Sequence, residues 1–405
     1  MRSTATVFAV SASALILAAG TLVVAGPLSP GAGPVASTYK TLTEVEPRIA
    51  INATNTAGDN DATPSLFKIT QPGSYYLTGN IAGVAGRYGI EITSSGVTID
   101  LNGFEATGVP GSLAGVATTV GALRNISVVN GSVRNWGASG VDLFASLASN
   151  CEVSNIRATG CGSGAQTGGV VVGFRSRVSN CVASANTGRG IAVSTDSVIT
   201  ESTANGNSGN GIDVGNFSVV NSCTANENGN AGISAGGASI TNCNATNNVG
   251  NGFNNGSGGT TTACVANDNG SNGFSVGFGT IANCTARLNT LNGIVVDSGT
   301  YVFNNTCSSN GQSSGNGAGI LATGNDNRIE GNNCLFADRG IDVNGLGNVI
   351  IRNTASGNMT ANWSIEAGNV LGPILDRTAP GGVVINGNSA ASTMGTTDPN
   401  ANFTY

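Results

Sequence analysis

Asp338, Arg339 and Asp342 form the densest charged group in a chain of 405 residues of which only 9% are charged. Carboxylates can hold a metal ion, and an arginine between two of them could act as a base beside that ion. We therefore take these three as candidate catalytic residues. The alternative is a surface salt-bridge group on a turn, which contributes little stability. Further charges are expected on neighbouring repeats, at Asp297, Asp326 and Arg328.

The remaining charges restrict the chemistry. Histidine is absent, which excludes serine and cysteine triads, zinc sites with imidazole ligands and histidine acid–base catalysis. The net charge is -6 and only two lysines occur, whereas a phosphate backbone needs a positive face, so nucleic acid is not an expected partner. A second, more basic patch consists of Arg175, Arg177 and Arg189. These arginines could contact an acidic sugar, or they could simply form a solvated edge without a ligand.

A repeat of about 21 residues must position these side chains. Glycine followed by Ile or Phe recurs at steps of 20 or 21, and less evenly beyond. The apolar members are Ile191, Ile212, Ile233, Phe253, Phe274, Ile294, Ile320 and Ile341. An asparagine row keeps the same step, at Asn186, Asn207, Asn228, Asn248, Asn269 and Asn289.

Within one repeat, short stretches such as "GIAV", "SVIT" and "CVAS" alternate between apolar and polar residues and are separated by turn residues. Three short strands per repeat predict one coil of a parallel β-solenoid, in which each residue stacks on its equivalent about 4.8 Å away. The apolar row then forms the core, and the asparagine row forms a ladder of side-chain amides.

A cysteine row predicts a second buried column. Cys181, Cys223, Cys243, Cys264 and Cys284 align with Ser202 in the missing place, and the spacing extends the row to Cys161, Cys307 and Cys334. Equivalent residues on stacked strands lie too far apart for good disulfide geometry. We therefore expect free thiols that behave as small hydrophobic side chains, rather than a disulfide framework. Cys151 lies off the row.

The residue after each core Ile or Phe should face outward, because side chains alternate along a strand. That row carries acids at Glu91, Asp142, Asp213 and Asp342. They fall on distant coils, so the row does not predict a calcium cluster, which needs several oxygens around one ion.

The chain divides into five segments. Residues 1–25 read as a signal peptide, with an uncleaved membrane anchor as the alternative. The others are a Pro/Gly-rich linker (26–37), an N-terminal lead-in and cap (38–65), the repeats (66–357) and a C-terminal cap and tail (358–405).

The segments "GVTIDLNGF" (96–104) and "GNDNRIEGNNC" (324–334) resemble the single-stranded right-handed parallel β-helix of the pectin-lyase-like superfamily. The lead-in "TYKTLTEVEPR" (38–48) is similar to secreted planctomycete β-helix proteins without an assigned activity. The resemblance implies an all-β solenoid of about 12 coils with three strands each. It does not fix the function, because this fold hosts many activities.

Two functions remain open. The first is a secreted or cell-surface protein that presents a long polar wall to a polysaccharide or another surface, without catalysis and without a cofactor. The second is a polysaccharide lyase or epimerase acting on an acidic polysaccharide, in which Asp338, Arg339 and Asp342 would do the chemistry and calcium would be needed. Whether the chain is an enzyme stays undecided at this point. After removal of the signal peptide, no membrane association is expected.

Overall fold

The computed structural model describes residues 47–144, 148–312, 315–376 and 396–405. The predicted signal peptide, the linker and the first residues of the lead-in lie outside these ranges. Residues 48–405 belong to one compact unit. Within the described ranges no helix is long and apolar enough to cross a membrane.

The chain winds through three parallel faces, which we call face 1, face 2 and face 3 in the order in which each coil visits them. Face 1 is a sheet of 14 strands. Its strands are Ser65–Ile69, Tyr88–Ile92, Val116–Thr118, Val141–Leu143, Gly168–Val172, Arg189–Val193, Ile212–Val214, Ile233–Ala235, Phe253–Asn255, Phe274–Val276, Ile294–Val296, Ala318–Ala322, Arg339–Val343 and Ala361–Ile365.

Faces 2 and 3 are joined into one sheet of 28 strands, because two long strands, Ile126–Arg134 and Glu152–Thr159, run through the corner between them. The other strands of face 2 are Ile49–Ala50, Gly73–Tyr76, Val97–Asp100, Arg177–Ser179, Val198–Thr200, Val219–Asn221, Ser239–Thr241, Gly259–Thr262, Gly279–Ala282, Tyr301–Phe303, Arg328–Glu330, Val349–Ile351 and Val370–Leu371. Those of face 3 are Ile81–Ala82, Glu105–Thr107, Val182–Ser184, Thr203–Asn205, Thr224–Asn226, Asn244–Thr246, Val265–Asn267, Thr285–Arg287, Thr306–Ser308, Asn333–Leu335, Thr354–Ser356, Ile374–Asp376 and Asn402–Thr404.

The predicted all-β parallel solenoid is therefore confirmed, with 14 coils rather than about 12. The step of Gly followed by Ile or Phe is missing from the first, third, fourth, fifth and last of the face 1 strands, so a count based on that step falls short. Pairing also continues past residue 357, to the strand Ala361–Ile365. At the start of the stack, Ile49–Ala50 pairs with the face 2 strand Gly73–Tyr76, so part of the lead-in joins the sheet.

The core is the predicted apolar column. Ile191, Ile212 and Ile233 are Cα partners on successive strands, and all three are fully buried. The column continues through Phe253 and Phe274, whose rings stack with their centroids 4.8 Å apart. Stacking like on like buries each apolar side chain against its equivalent, which is the main source of stability in such a fold.

The predicted asparagine ladder is present at the corner between face 3 and face 1, and it extends to Asn310. The Nδ2 group of each member donates to Oδ1 of the next at 2.8–3.0 Å, as from Asn228 to Asn248. The same oxygen accepts the backbone N–H of the preceding member, and Nδ2 also donates to an alanine carbonyl, such as that of Ala204 for Asn228. A fully bonded amide is therefore buried at every turn, which avoids the penalty of a buried polar group without a partner.

Tight corners depend on residues in the left-handed region. One regular coil has Phe217, Ser222 and Glu227 at φ 58°, 55° and 53°, one at each corner. A non-glycine residue in this region costs about 1–2 kcal/mol, so the corners are held by the stacking of the whole coil rather than by local preference.

The cysteines are all free and buried, which confirms the free-thiol interpretation. The column from Cys223 to Cys284 is in register, and the N–H of Cys223 contacts Sγ of Cys243 at 3.4 Å. Burial raises the pKa of Cys161 and of Cys181 to about 11, which keeps both thiols protonated and unreactive at neutral pH.

Three cysteines do not continue this column, and that part of the prediction is wrong. Cys161 is level with Asn186 in the asparagine ladder, because its coil has 25 residues and not 20. Cys307 and Cys334 stack on each other within face 3, in the column that holds Ala286. Beyond Cys284 the thiol column passes into a second asparagine ladder, formed by Asn305, Asn332, Asn353 and Asn402.

We predict that Asn248→Ala lowers the free energy of unfolding by about 2–4 kcal/mol, because it leaves buried N–H groups of Asn228 without an acceptor, at about 1–3 kcal/mol each. Urea denaturation followed by circular dichroism measures the change. Asn244→Ala is the matched control, since Asn244 is exposed on face 3 and its replacement should change stability by no more than about 0.5 kcal/mol. Equal effects of the two substitutions would contradict the role of the ladder.

Candidate functional site

The outward row of face 1 follows the predicted register. Its members are Lys68, Glu91, Ala117, Asp142, Val171, Ala192, Asp213, Ser234, Asn254, Ser275, Val295, Leu321, Asp342 and Ser364. Side-chain size and charge vary along this row, whereas the core columns are nearly uniform. Binding or chemistry on face 1 must therefore arise from local combinations along the row.

The predicted trio of Asp338, Arg339 and Asp342 does come together. Nη1 of Arg339 donates to Oδ2 of Asp342 at 2.7 Å, and Nη2 donates to Asn316 at 3.2 Å. Asp338 accepts a hydrogen bond from the hydroxyl of Thr360. Both acids are almost fully buried, and each keeps one carboxylate oxygen without a hydrogen-bond partner among the described residues. The arginine is the exposed member of the trio, with 30% of its side chain accessible.

The hydrogen bond to Asp342 raises the pKa of Arg339 further above its ordinary value. This shift opposes a role as a general base, because a base must lose its proton near the working pH. Arg339 is better suited to hold a negative charge. The other charges expected nearby lie elsewhere: Asp297 and Asp326 flank the opposite edge of face 1, and Arg328 binds Glu330 on face 2.

An open groove of about 300 Å³ lies farther towards the N-terminus on face 1. Val171 and Ala192, two small successive members of the outward row, lie at its floor. Phe144 follows a face 1 strand and lines one edge, while Gln166 and Arg189 precede or begin their strands and line the other. The groove therefore exists because two small residues are flanked by larger side chains at both corners.

The polar side of this groove is a hydrogen-bonded trio. Nε of Arg189 lies 3.0 Å from Oδ2 of Asp213 on the next coil, and Nη2 donates to Oε1 of Gln166 at 2.8 Å on the preceding coil. About a quarter of each charged side chain is exposed. Burial raises the pKa of the Asp213 carboxyl above its ordinary value, and Arg189 offsets part of that rise.

The apolar side carries an aromatic pair. The rings of Phe144 and Phe174 have centroids 6.4 Å apart and are tilted by 35°. Phe144 is 44% exposed, which leaves part of an apolar ring accessible beside the groove. An apolar platform facing a few fixed polar groups is the usual composition of a small-molecule site.

The expected basic patch is divided by the fold. Arg175 lies at the corner between face 1 and face 2 and Arg177 begins a face 2 strand, whereas Arg189 begins the next face 1 strand, at the opposite edge of face 1. Arg175 lies 3.9 Å from Asp196 and is 71% exposed, so this is a weak surface pair. Of the three, only Arg189 lines the groove.

Paired-carboxylate hydrolysis does not fit the groove. It needs two accessible carboxyl groups about 5–10 Å apart. Along the outward row, the nearest acid to Asp213 is Asp142, three coils away or about 14 Å at the coil spacing. The groove is thus equipped to donate and accept hydrogen bonds rather than to cleave a glycosidic bond with two acids.

An acidic cluster at the N-terminal end was missed by the sequence reasoning, because two of its members precede the first repeat. Asp59, Asp61 and Glu91 bring their oxygens within 4.8 Å of one another. Nζ of Lys68 lies 2.6, 2.7 and 3.3 Å from them. Hydrogen bonds to Asp59 and Asp61 raise the pKa of Lys68 well above its usual value, and Lys68 lowers the pKa of Asp61. The ammonium group therefore supplies the cation here and ties the lead-in to the first two coils.

Comparisons with known proteins give fold-level similarity alone. No family model and no curated protein matches the chain. The A-module of the mannuronan C-5 epimerase AlgE4 from Azotobacter vinelandii is 16% identical, covers 74% of this chain and 91% of its own, and has a TM-score of 0.40. The Dettilon tailspike protein is 17% identical over 75% of this chain and 66% of its own, with a TM-score of 0.42. PfbA, a surface adhesin of Streptococcus pneumoniae, is 9% identical over 78% and 91%, with a TM-score of 0.34.

We predict that Arg339→Met lowers the free energy of unfolding at neutral pH by about 3 kcal/mol, because Asp342 would remain buried without its ion pair. Adding Asp342→Leu should restore most of the loss, since leucine occupies the equivalent position one coil earlier. Urea denaturation of both variants measures this.

The matched control is Arg134→Met, because Arg134 pairs with Glu105 at a site where both side chains are well exposed. Its effect should stay below about 1 kcal/mol. A loss in Arg339→Met that the second substitution fails to recover would contradict the account of the buried pair.

Proposed function

We propose that the protein binds a polysaccharide in the groove of face 1, and that it acts as a non-catalytic secreted or cell-surface β-helix. The observation that carries this proposal is the pairing of an exposed phenylalanine with a fixed Arg–Asp–Gln trio across one open groove. A sugar ring has an apolar face and a rim of hydroxyl groups, so it needs both kinds of contact. Face 1 has 14 stacked strands and is long enough to bind a polymer rather than one sugar.

The polar trio suits hydroxyl groups in particular. The carboxylate of Asp213 can accept hydrogen bonds from hydroxyl groups, and Arg189 can donate. Both charged groups are held by each other and by Gln166, so little side-chain freedom would be lost on binding. Phe144 would cover the apolar face of the ring.

We predict that Arg189→Ala and Asp213→Asn each weaken binding by about tenfold or more, in line with the loss of a charged hydrogen bond. A glycan array printed with neutral and uronate oligosaccharides would select the ligand, and titration calorimetry would then measure the affinity. Arg134→Ala is the matched control, since it removes an exposed ion pair on face 3. If the Arg189→Ala and Arg134→Ala variants bound the ligand with equal affinity, the proposal would be contradicted.

The pH dependence follows from Asp213. Because burial raises the pKa of this carboxyl, its negative charge is lost at a higher pH than for an ordinary aspartate, whose pKa is about 4. Binding by the unaltered protein should therefore weaken on acidification before ordinary carboxylates titrate. Asp213→Asn should lack that transition.

A polysaccharide lyase or epimerase is the second candidate, with the site at Asp338, Arg339 and Asp342. Each of the two buried acids has one carboxylate oxygen without a hydrogen-bond partner among the described residues, and this favours the second candidate, because such atoms call for an explanation. In this case Arg339 would neutralise the acidic sugar and the acids would handle protons or calcium.

Incubating the protein with alginate or polygalacturonate, with and without calcium, tests this candidate. An epimerase would change the uronate stereochemistry seen by proton NMR, and a lyase would form unsaturated products that absorb in the ultraviolet. We expect neither change. If one occurs, is abolished by Arg339→Ala and survives Arg189→Ala, the catalytic candidate replaces the binding proposal.

A further inference from the structure

Two exposed phenylalanines occupy one column at the corner between face 1 and face 2. The column runs through Arg175, Asp196, Phe217, Gly237, Gly258, Phe278, Gly299 and Asp326. Phe217 is 80% exposed and Phe278 is 59% exposed. Two glycines separate them in the column, so no side chain projects from the corner between the two aromatic rings.

Stability does not account for Phe217. Its ring is mostly in water, so it contributes little apolar burial, and its φ of 58° is unfavourable for a bulky residue. The next coil places Gly237 at the same position, which shows that the corner can be built without a side chain. An exposed aromatic ring that the fold does not require is free to stack on a ligand.

Phe278 is held in place by the coil that follows it. A Cβ atom added to Gly299 would lie 2.3 Å from Cε2 of Phe278, so the ring lies directly over this glycine. On the other side, a Cβ added to Gly258 would meet no atom within 4 Å. The corner is therefore open at Gly258, next to Phe278, while the Phe278 ring itself rests on the backbone of the following coil.

The spacing suits an elongated ligand. Phe217 and Phe278 are three coils apart, which is about 14 Å at the coil spacing. Their column runs along the stacking direction of the coils. Phe217 also follows closely on Val214 and Gly215, which line the groove, so the first of the two aromatic side chains lies where the groove ends.

We infer that the groove and this aromatic corner form one continuous track for a linear polysaccharide lying along the stacking direction. The inference rests on the proposed function and adds the direction and the minimum length of the ligand. Arg189 and Asp213 would hold sugars at the groove, and Phe217 and Phe278 would stack on later sugars of the same chain. Short oligosaccharides would contact only the groove and would not extend to Phe278.

The test measures affinity against chain length by titration calorimetry. The probes are oligogalacturonates and cello-oligosaccharides from disaccharide to octasaccharide, one acidic and one neutral series. In the unaltered protein, affinity for the bound series should rise again once the chain is long enough to reach Phe278. Phe278→Ala should remove that second rise, an effect of about three- to tenfold on the long members, and leave the short members unchanged.

Two further variants separate binding from folding. Phe217→Gly copies the next coil, so it should weaken the binding of long chains without lowering the thermal midpoint. Phe336→Ala is the matched control, because Phe336 is also an exposed left-handed phenylalanine, at the corner between face 3 and face 1. It should alter no affinity in either series.

The outcomes distinguish the inference from the proposal beneath it. If Arg189→Ala weakens binding at every length and Phe278→Ala weakens it at none, the track is wrong and groove binding stands. If Phe278→Ala weakens the binding of oligosaccharides of every length equally, the phenylalanine does not act only on the longer chains, and the inference also fails. If neither probe series binds and Arg189→Ala has no effect on any ligand that the array selects, the proposed function fails as well.

Discussion

The hydrogen bond between a backbone group and its equivalent one coil away is the interaction on which this structure depends. It fixes the coils in register, so every inward side chain meets the same position above and below. A buried amide therefore meets its counterpart one coil away and can bond to it, as Asn228 does to Asn248. The same register places apolar side chains in one column, from Ile191 to Phe274. The alignment of the apolar core and the hydrogen bonding of its buried amides thus come from one constraint, the register between coils.

That constraint acts on inward positions and leaves outward positions free. Face 1 carries small residues at Val171 and Ala192 and a charged pair at Arg189 and Asp213, and this local contrast produces the groove. The corners are a second source of variety, because the same left-handed position accepts Phe217 in one coil and glycine in the next. In such a fold, the residues that can bind a ligand are those at outward and corner positions, where the side chain differs from coil to coil.

The sequence allowed the repeat to be predicted because its spacing is a direct copy of the coil length. It misplaced Cys161 for the same reason, since a step of 20 residues looked like one coil when that coil has 25. The trio at Asp338, Arg339 and Asp342 was found because its members are adjacent in sequence. The groove was missed because Gln166, Arg189 and Asp213 sit on three coils at different positions of the repeat. A search for opposite charges offset by one coil and three residues would have found the last two.

The position of the groove within the stack determines how well it is protected from local unfolding. Coils contact only their neighbours, so opening starts at the two termini of the array and advances inward one layer at a time. The groove draws on the fourth to seventh of 14 face 1 strands, at least three strands from either end of the sheet. Fraying at either extremity can therefore remove several layers before it disturbs Arg189 or Asp213, and the recognition surface outlasts the ends of its own scaffold.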